Sequence, residues 1–257
     1  MAQATPSPDL RGNDLVMFAY NVTSLLDYLG NQPDADRHHL AMLEWRYLPI
    51  LESRQRPATF LHQEMARSPE FFAEVISMVF RAEHQAQPSQ VSEEERHKAI
   101  LAYQLLRSWS TVPGSAELGS GADLAQWVTE ARALLTRGGR LRPGDRFIGH
   151  ILSQTPEDPD GTWPGQLVRE IIEAIRSQDV EQGIDTAIFN GRGVTWRGMN
   201  TGGQPERELA DKYQAYAQRT GPQWPRTRRM LQKMAENWDR RARQEDQLAA
   251  TREDFWS

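Results

Sequence analysis

Residues 163–190 read WPGQLVREIIEAIRSQDVEQGIDTAIFN, and this stretch decides the fold class. Its first half carries apolar side chains at i, i+1, i+4, i+5 and i+8, which lie on one face of an α-helix; they are Leu167, Val168, Ile171, Ile172 and Ile175. The second half repeats a helical spacing over 179–190 after a very short connection. Two amphipathic helices joined in this way are expected to pack antiparallel.

The same spacing recurs along the chain on both sides of this pair. It predicts helices over 13–30, 38–51, 69–80, 92–109, 123–135, 144–154, 165–177, 179–190, 205–219 and 225–252. Three of them have clear start signals: Ser68 before Pro69, the capping box of Ser92 with Glu95, and Asp123. No run alternates apolar and polar residues as a strand would. We therefore expect an all-α protein of about ten helices in antiparallel pairs, either an irregular bundle or a short solenoid-like stack.

Composition shifts suggest how the chain is organised. Residues 1–12 have little to bury and are expected to form a disordered leader. The stretch TVPGSAELGSGA at 111–122 is typical of a linker. It would separate an N-terminal helical subdomain (13–110) from a C-terminal one (123–257) that contains a Gly/Arg-rich loop at 190–204.

Composition also excludes several classes of site. The 257 residues include no cysteine, which excludes disulfides, Cys-ligated zinc, iron–sulfur clusters and thiol nucleophiles. The six histidines form no H-E-x-x-H motif, and we expect neither a metal nor a cofactor. No apolar run approaches the roughly 20 residues of a membrane span. The N-terminus lacks the basic stretch and the apolar stretch of a secretory signal peptide, so the protein is expected in the cytoplasm.

The most unusual segment is 190–207, NGRGVTWRGMNTGGQPER. Its five glycines and three arginines lie between two predicted helices, and the last two glycines leave backbone N–H donors at a helix start. An anion or a partner protein could be bound there, and the candidate binding residues are Asn190, Arg192, Trp196, Arg197, Gly202, Gly203 and Arg207. The alternative is an ordered connection whose arginines bond to helix carbonyls and whose Trp196 packs as a plug.

Charge is unevenly distributed around this loop. Residues 191–229 hold eight basic and three acidic side chains, a local charge of +5, whereas the whole chain carries −5. A phosphate or a nucleic-acid backbone could use such a segment. The final helix mixes charges of both signs at i, i+3 and i+4, which favours a solvated, self-paired surface.

Four sequence segments resemble the helical C-terminal regions of uncharacterised bacterial proteins, some of them large and multidomain. They are AYQLLRSW, FNGRGVTWRG, GGQPERELADKY and WPRTRRMLQKMAENW, within residues 101–254. The resemblance implies no activity and assigns no residue a role. It implies at most an accessory or interaction module.

Three functions follow from these observations. The first is a non-catalytic helical scaffold that binds another protein through helix faces and the 190–207 loop, because no G-x-S-x-G, P-loop or other catalytic motif is present. The second is a phosphate- or nucleic-acid-binding module that uses residues 191–229. The third is an enzyme of an unfamiliar helical class, with Asn190, Arg192, Arg197 and Glu206 around a small anionic substrate.

Overall fold

The computed structural model describes residues 13–52, 56–85, 90–115, 118, 123–191 and 202–256. These residues form eleven α-helices and no strand, which confirms the predicted all-α fold. The chain divides into two compact units, Met1–Arg140 and Leu141–Ser257. The leader expected at 1–12 lies outside the described residues, as does part of the 111–122 stretch.

The first unit contains six helices. They are α1 (Asn13–Gly30), α2 (Arg37–Glu52), α3 (Thr59–Arg67), α4 (Pro69–Val79), α5 (Glu93–Ser108) and α6 (Leu124–Arg137). The second unit contains α7 (Leu141–Leu152), α8 (Gln166–Ile175), α9 (Gln178–Gly191), α10 (Gln204–Arg219) and α11 (Pro225–Trp256). Within the units the helices pack as all-α bundles, with α10 against α11 and α7 against α9 in the second. Helix α9 thus packs on α7, and the expectation that it packs antiparallel on α8 is wrong, because a short connection does not by itself bring two helices side by side.

Three aromatic rings form the centre of the first unit. Phe72 lies 5.3 Å from Trp109 and 5.1 Å from Trp127, and the two indoles are 5.6 Å apart. Both indole N–H groups donate to backbone carbonyls of α3, those of His62 and Met65. In the sequence, Trp109 precedes the 111–122 stretch and Trp127 follows it, yet both belong to the core of the first unit. The boundary of this unit, at Arg140, therefore differs from the boundary expected from composition at 111–122.

Helix α3 has no start signal in the sequence and is not among the helices that the apolar spacing predicts. Ala58 stands at its N-cap position and provides no side-chain hydrogen bond. Glu44 of α2 takes that role: its fully buried carboxylate accepts from the Leu61 N–H at 2.8 Å and from Arg56 at 2.5 Å. Burial raises the pKa of Glu44, and its hydrogen bonds with Leu61 and Arg56 oppose that shift. The cap is therefore supplied by a residue distant in sequence.

Two glycines allow α7 and α9 to touch backbone to backbone. A Cβ atom built on Gly149 would lie 2.9 Å from the Gly183 Cα, and one on Gly183 would lie 2.9 Å from the Arg146 Cα. Real side chains do not tolerate such distances. Helix α9 accepts a glycine in its interior because a larger residue would push α7 away.

The predicted start signals are confirmed in the structure. Ser68 accepts from the Phe71 N–H, Ser92 and Glu95 form the capping box, and Asp123 accepts from the Ala125 N–H. Pro49 lies inside α2 and is followed by three more helical residues. No helix among the described residues is long and apolar enough to cross a membrane.

Candidate functional site

The structure describes four of the seven candidate binding residues. Asn190 is exposed in the last turn of α9, Gly202 and Gly203 stand directly before α10, and Arg207 lies in its first turn. Arg192, Trp196 and Arg197 lie outside the described residues. The described ends of the segment define the candidate site.

The end of the segment next to α10 does contain an anion, but it belongs to the protein itself. The Gly203 N–H donates to Asp246 Oδ1 at 2.8 Å, and the Arg207 guanidinium donates to both carboxylate oxygens at 2.6 and 3.2 Å. The hydrogen bonds from Arg207 and Gly203 lower the pKa of Asp246. A carboxylate of α11 thus occupies the donors that the sequence suggested for an external ligand.

The two glycines are needed here for different reasons. Gly202 has a φ of +52°, a conformation that most side chains disfavour. A Cβ atom on Gly203 would lie 2.5 Å from the Ala242 Cα, so only glycine allows the start of α10 to approach α11 this closely. Both glycines are explained by the packing of α10 on α11.

The other end of the segment holds an aromatic and arginine cluster that the sequence patterns did not predict. Phe189 is 42% exposed and its ring lies 5.8 Å from that of Trp238, which is buried. The Arg241 guanidinium lies 4.1 Å from the Phe189 ring centroid and 5.6 Å from that of Trp238. The sequence signal was Phe189 itself, a large aromatic next to the apolar stripe of α9 and directly before the Gly/Arg-rich segment.

Both ends of the segment are fixed on one short part of α11. Trp238 and Arg241 hold the α9 end, while Asp246 holds the α10 end. Positions 238 and 246 are two helical turns apart, about 12 Å at 1.5 Å per residue. We call these contacts the loop base, defined as Phe189, Trp238, Arg241, Gly203, Arg207 and Asp246.

Most described cations of the basic 191–229 segment have partners within the chain. Arg207 binds Asp246, Lys212 lies 5.5 Å from the Tyr216 ring centroid, and Arg219 donates to the Gly161 carbonyl. Arg226 pairs with Glu181. Two of the six described cations are thus ion-paired, and two more contact an aromatic ring or a backbone carbonyl.

A groove of about 260 Å³ between α9 and α11 contains charges of both signs. Arg229 and Lys233 line it from α11, and Asp185 lines it from α9. Burial raises the pKa of Asp185, and the nearby Arg241 and Lys233 oppose that shift. Burial, together with Asp185, also raises the pKa of Tyr213 to about 12. The groove is half-buried and nearly balanced in charge.

The start of α11 is also occupied by a carboxylate. Glu173 of α8 accepts from the N–H groups of Arg226 at 2.9 Å and Thr227 at 2.8 Å. It caps α11 and satisfies donors that would otherwise attract an anion.

A separate cavity of about 780 Å³ in the first unit is lined by His62, Ser108, Arg107 and Arg56 among others. His62 Nε2 lies 3.2 Å from Ser108 Oγ, and that hydroxyl donates to the Leu105 carbonyl at 3.2 Å. The Ser108 hydroxyl is thus held by the last turn of its own helix, beside the His62 ring.

Comparisons with protein-family models, with curated proteins and with solved structures found no match to this chain.

Proposed function

We propose that this chain is a non-catalytic helical scaffold of bacterial origin that binds another protein through the loop base and the adjoining 190–207 segment. The observation that carries the proposal is the exposed Phe189 ring beneath Arg241, on the buried Trp238. Aromatic residues and arginine dominate the energetics of protein interfaces. Because Trp238 is held inside the second unit, Phe189 and Arg241 present a pre-organised contact that costs little entropy on binding.

The internal carboxylates support a protein partner over an anionic one. Asp246 and Glu173 occupy the two helix starts that could have attracted a phosphate, and Arg226 is paired with Glu181. For the enzyme hypothesis, Glu206 is a weak candidate because its side chain is only 1% exposed. The location proposed for this module is the cytoplasm.

A phosphate- or nucleic-acid-binding module remains a second candidate, because Arg228, Arg229 and Lys233 are exposed on α11. It predicts binding whose affinity falls steeply as salt rises, since each phosphate contact releases counterions. Binding to a fluorescein-labelled oligonucleotide, measured at low and moderate salt, tests it. A flat salt dependence, or no binding at low salt, refutes this candidate.

The test of the leading proposal is a quantitative pull-down from bacterial lysate with nuclease present. We expect a protein partner to be retained by the wild type and lost from Phe189→Ala and from Arg241→Ala. The matched control is Arg240→Ala, which removes the same charge from an adjacent exposed position of α11. Equal retention by all four chains would refute the role of the loop base. A double change of Arg192→Ala and Arg197→Ala that left every partner bound would refute the role of the segment.

A further inference from the structure

Helix α1 is apolar on two opposite sides. Its inner side buries Ala19 and Leu26 and places Phe18 6.0 Å from the Tyr47 ring of α2. The other side exposes five large apolar side chains, each 52–65% accessible: Val16, Met17, Tyr20, Leu25 and Tyr28. A surface helix of a globular protein normally carries polar residues there. In α1 the five apolar side chains stand among the exposed polar residues Asn13, Asp14, Asn21, Ser24 and Asp27.

Three of the five exposed apolar side chains lie along one line of α1. At 100° per residue, Met17, Tyr20, Ser24 and Tyr28 follow one line along α1, on the side opposite Ala19 and Leu26. Their spacing of three, four and four residues is close to that of helices that pack side by side. Val16 and Leu25 flank the line on its two sides. We call these six residues the α1 seam.

The charges of α1 restrict the kind of partner. Asp14 and Asp27 are its only charged residues, and Asp27 is paired with Arg56 at 2.8 Å. A helix that lies on a membrane surface usually carries lysines or arginines on its polar face, and α1 has none. At 100° per residue, Asp27 lies between Val16 and Tyr20, at one edge of this surface. When α1 meets itself antiparallel across a two-fold axis near its middle, the two Asp27 residues are about 15 Å apart along the helix axes, so no like charges are brought together.

We propose that the α1 seam binds the α1 seam of a second copy of this chain, with the two helices antiparallel about a two-fold axis near position 22. In this register Tyr20 faces Ser24 of the other copy, so a large side chain meets a small one. Met17 faces Tyr28 of the other copy, a thioether against an aromatic ring. The same two contacts recur on the other side of the axis, as an isologous interface requires.

The exposed area suits a weak dimer. With roughly 200 Å² of surface for a large side chain, Met17, Tyr20 and Tyr28 expose roughly 360 Å² per copy. Val16 and Leu25 lie on opposite edges of the seam, so one partner helix covers about half of the exposed surface of each, roughly 100 Å² more. Two copies would bury about 900 Å², which is below the range of stable interfaces and within that of weak, transient ones. The dimer is accordingly expected to dissociate on dilution.

The first test measures mass against concentration by sedimentation equilibrium. Over about 1 to 500 µM, a range that spans micromolar dissociation constants, the wild type should rise from the 29.4 kDa of one chain towards twice that mass. Tyr20→Glu places a charge at the seam and should weaken the dimer at least tenfold. The matched control is Ile100→Glu on α5, a similarly exposed apolar position that should leave the dimer unchanged. Circular dichroism confirms that each variant is folded.

The second test uses the absence of cysteine from the chain. In the proposed register the two Ser24 positions are offset by about 6 Å along the helix axes. A short bis-maleimide should therefore join two Ser24→Cys chains and leave Ser77→Cys chains, altered at an exposed position of α4, as monomers. The proposal is overturned if the wild type stays at 29.4 kDa and Ser24→Cys chains form no cross-linked dimer. A different protein would then be the candidate partner of the seam. A dimer that Tyr20→Glu does not weaken overturns it as well.

Discussion

Replacing Gly183 by alanine tests the packing of α9 directly. The change in helix propensity and the change in tertiary packing alter the stability of the protein in opposite directions. Helix propensity alone predicts that alanine in the interior of α9 stabilises the protein by about 1 kcal/mol. In the folded second unit, however, the new Cβ would lie 2.9 Å from the Arg146 Cα and closer still to the Arg146 carbonyl oxygen. Backbone atoms cannot rotate away, so α7 and α9 must separate.

The size of the effect follows from the cost of overpacking. Forcing one extra carbon into a well-packed contact costs about 1–3 kcal/mol, and values above this occur when backbone must move. Because the atoms that the new Cβ meets are backbone, we take the upper part of that range, about 2–3 kcal/mol. The propensity gain offsets about 1 kcal/mol of it, so we expect a net destabilisation of about 1–2 kcal/mol. At about 4–6 °C per kcal/mol for a unit of this size, that corresponds to a fall in Tm of roughly 4–12 °C.

The assay is thermal unfolding followed by far-ultraviolet circular dichroism, with Gly191→Ala as the matched control. Gly191 ends the same helix, and a Cβ atom there would have nothing within 4 Å. We expect the control to leave the Tm unchanged or slightly raised. A Gly183→Ala protein at least as stable as the wild type would refute the close approach of α7 and α9. Gly149→Ala, on the facing helix, should reproduce the loss.

Two further predictions concern carboxylates that bind backbone N–H groups. Glu44→Gln should lower the free energy of unfolding of the first unit by about 2–4 kcal/mol, measured by urea unfolding, because a buried ion pair with Arg56 is broken. The control Glu94→Gln, which removes one partner of an exposed ion pair, should leave that free energy almost unchanged. Equal losses in the two variants would contradict the capping role of Glu44. The pKa of Asp246 is lowered from 3.8, so its contribution to stability is present above that value and is lost as pH falls through the folded-state pKa. The NMR chemical shift of the Gly203 amide should follow the protonation of Asp246, with a midpoint below pH 3.8, and should lose this pH dependence in Asp246→Asn. A midpoint at or above pH 3.8 would contradict the hydrogen bonds that we assign to Asp246.

The candidate site was predicted in part. Sequence reasoning identified Gly202, Gly203 and Arg207 as a group that could hold an anion, and the structure places an anion there. It did not identify Asp246 as that anion, because α11 carries acidic residues along its length and no local pattern distinguishes one of them. Phe189 and Arg241 were missed for a similar reason: their contact joins two helices more than fifty residues apart in the sequence.

The sequence by itself determined that the protein is helical and where most of its helices begin. Apolar periodicity and caps such as Ser68, Ser92 and Asp123 act within four residues along the chain, so they can be read without knowing the fold. Only the tertiary structure decided where α3 begins, why Gly183 is tolerated inside a helix, and which carboxylate fills the start of α10. These features depend on which distant residues packing brings together, and local propensity contains no information about that.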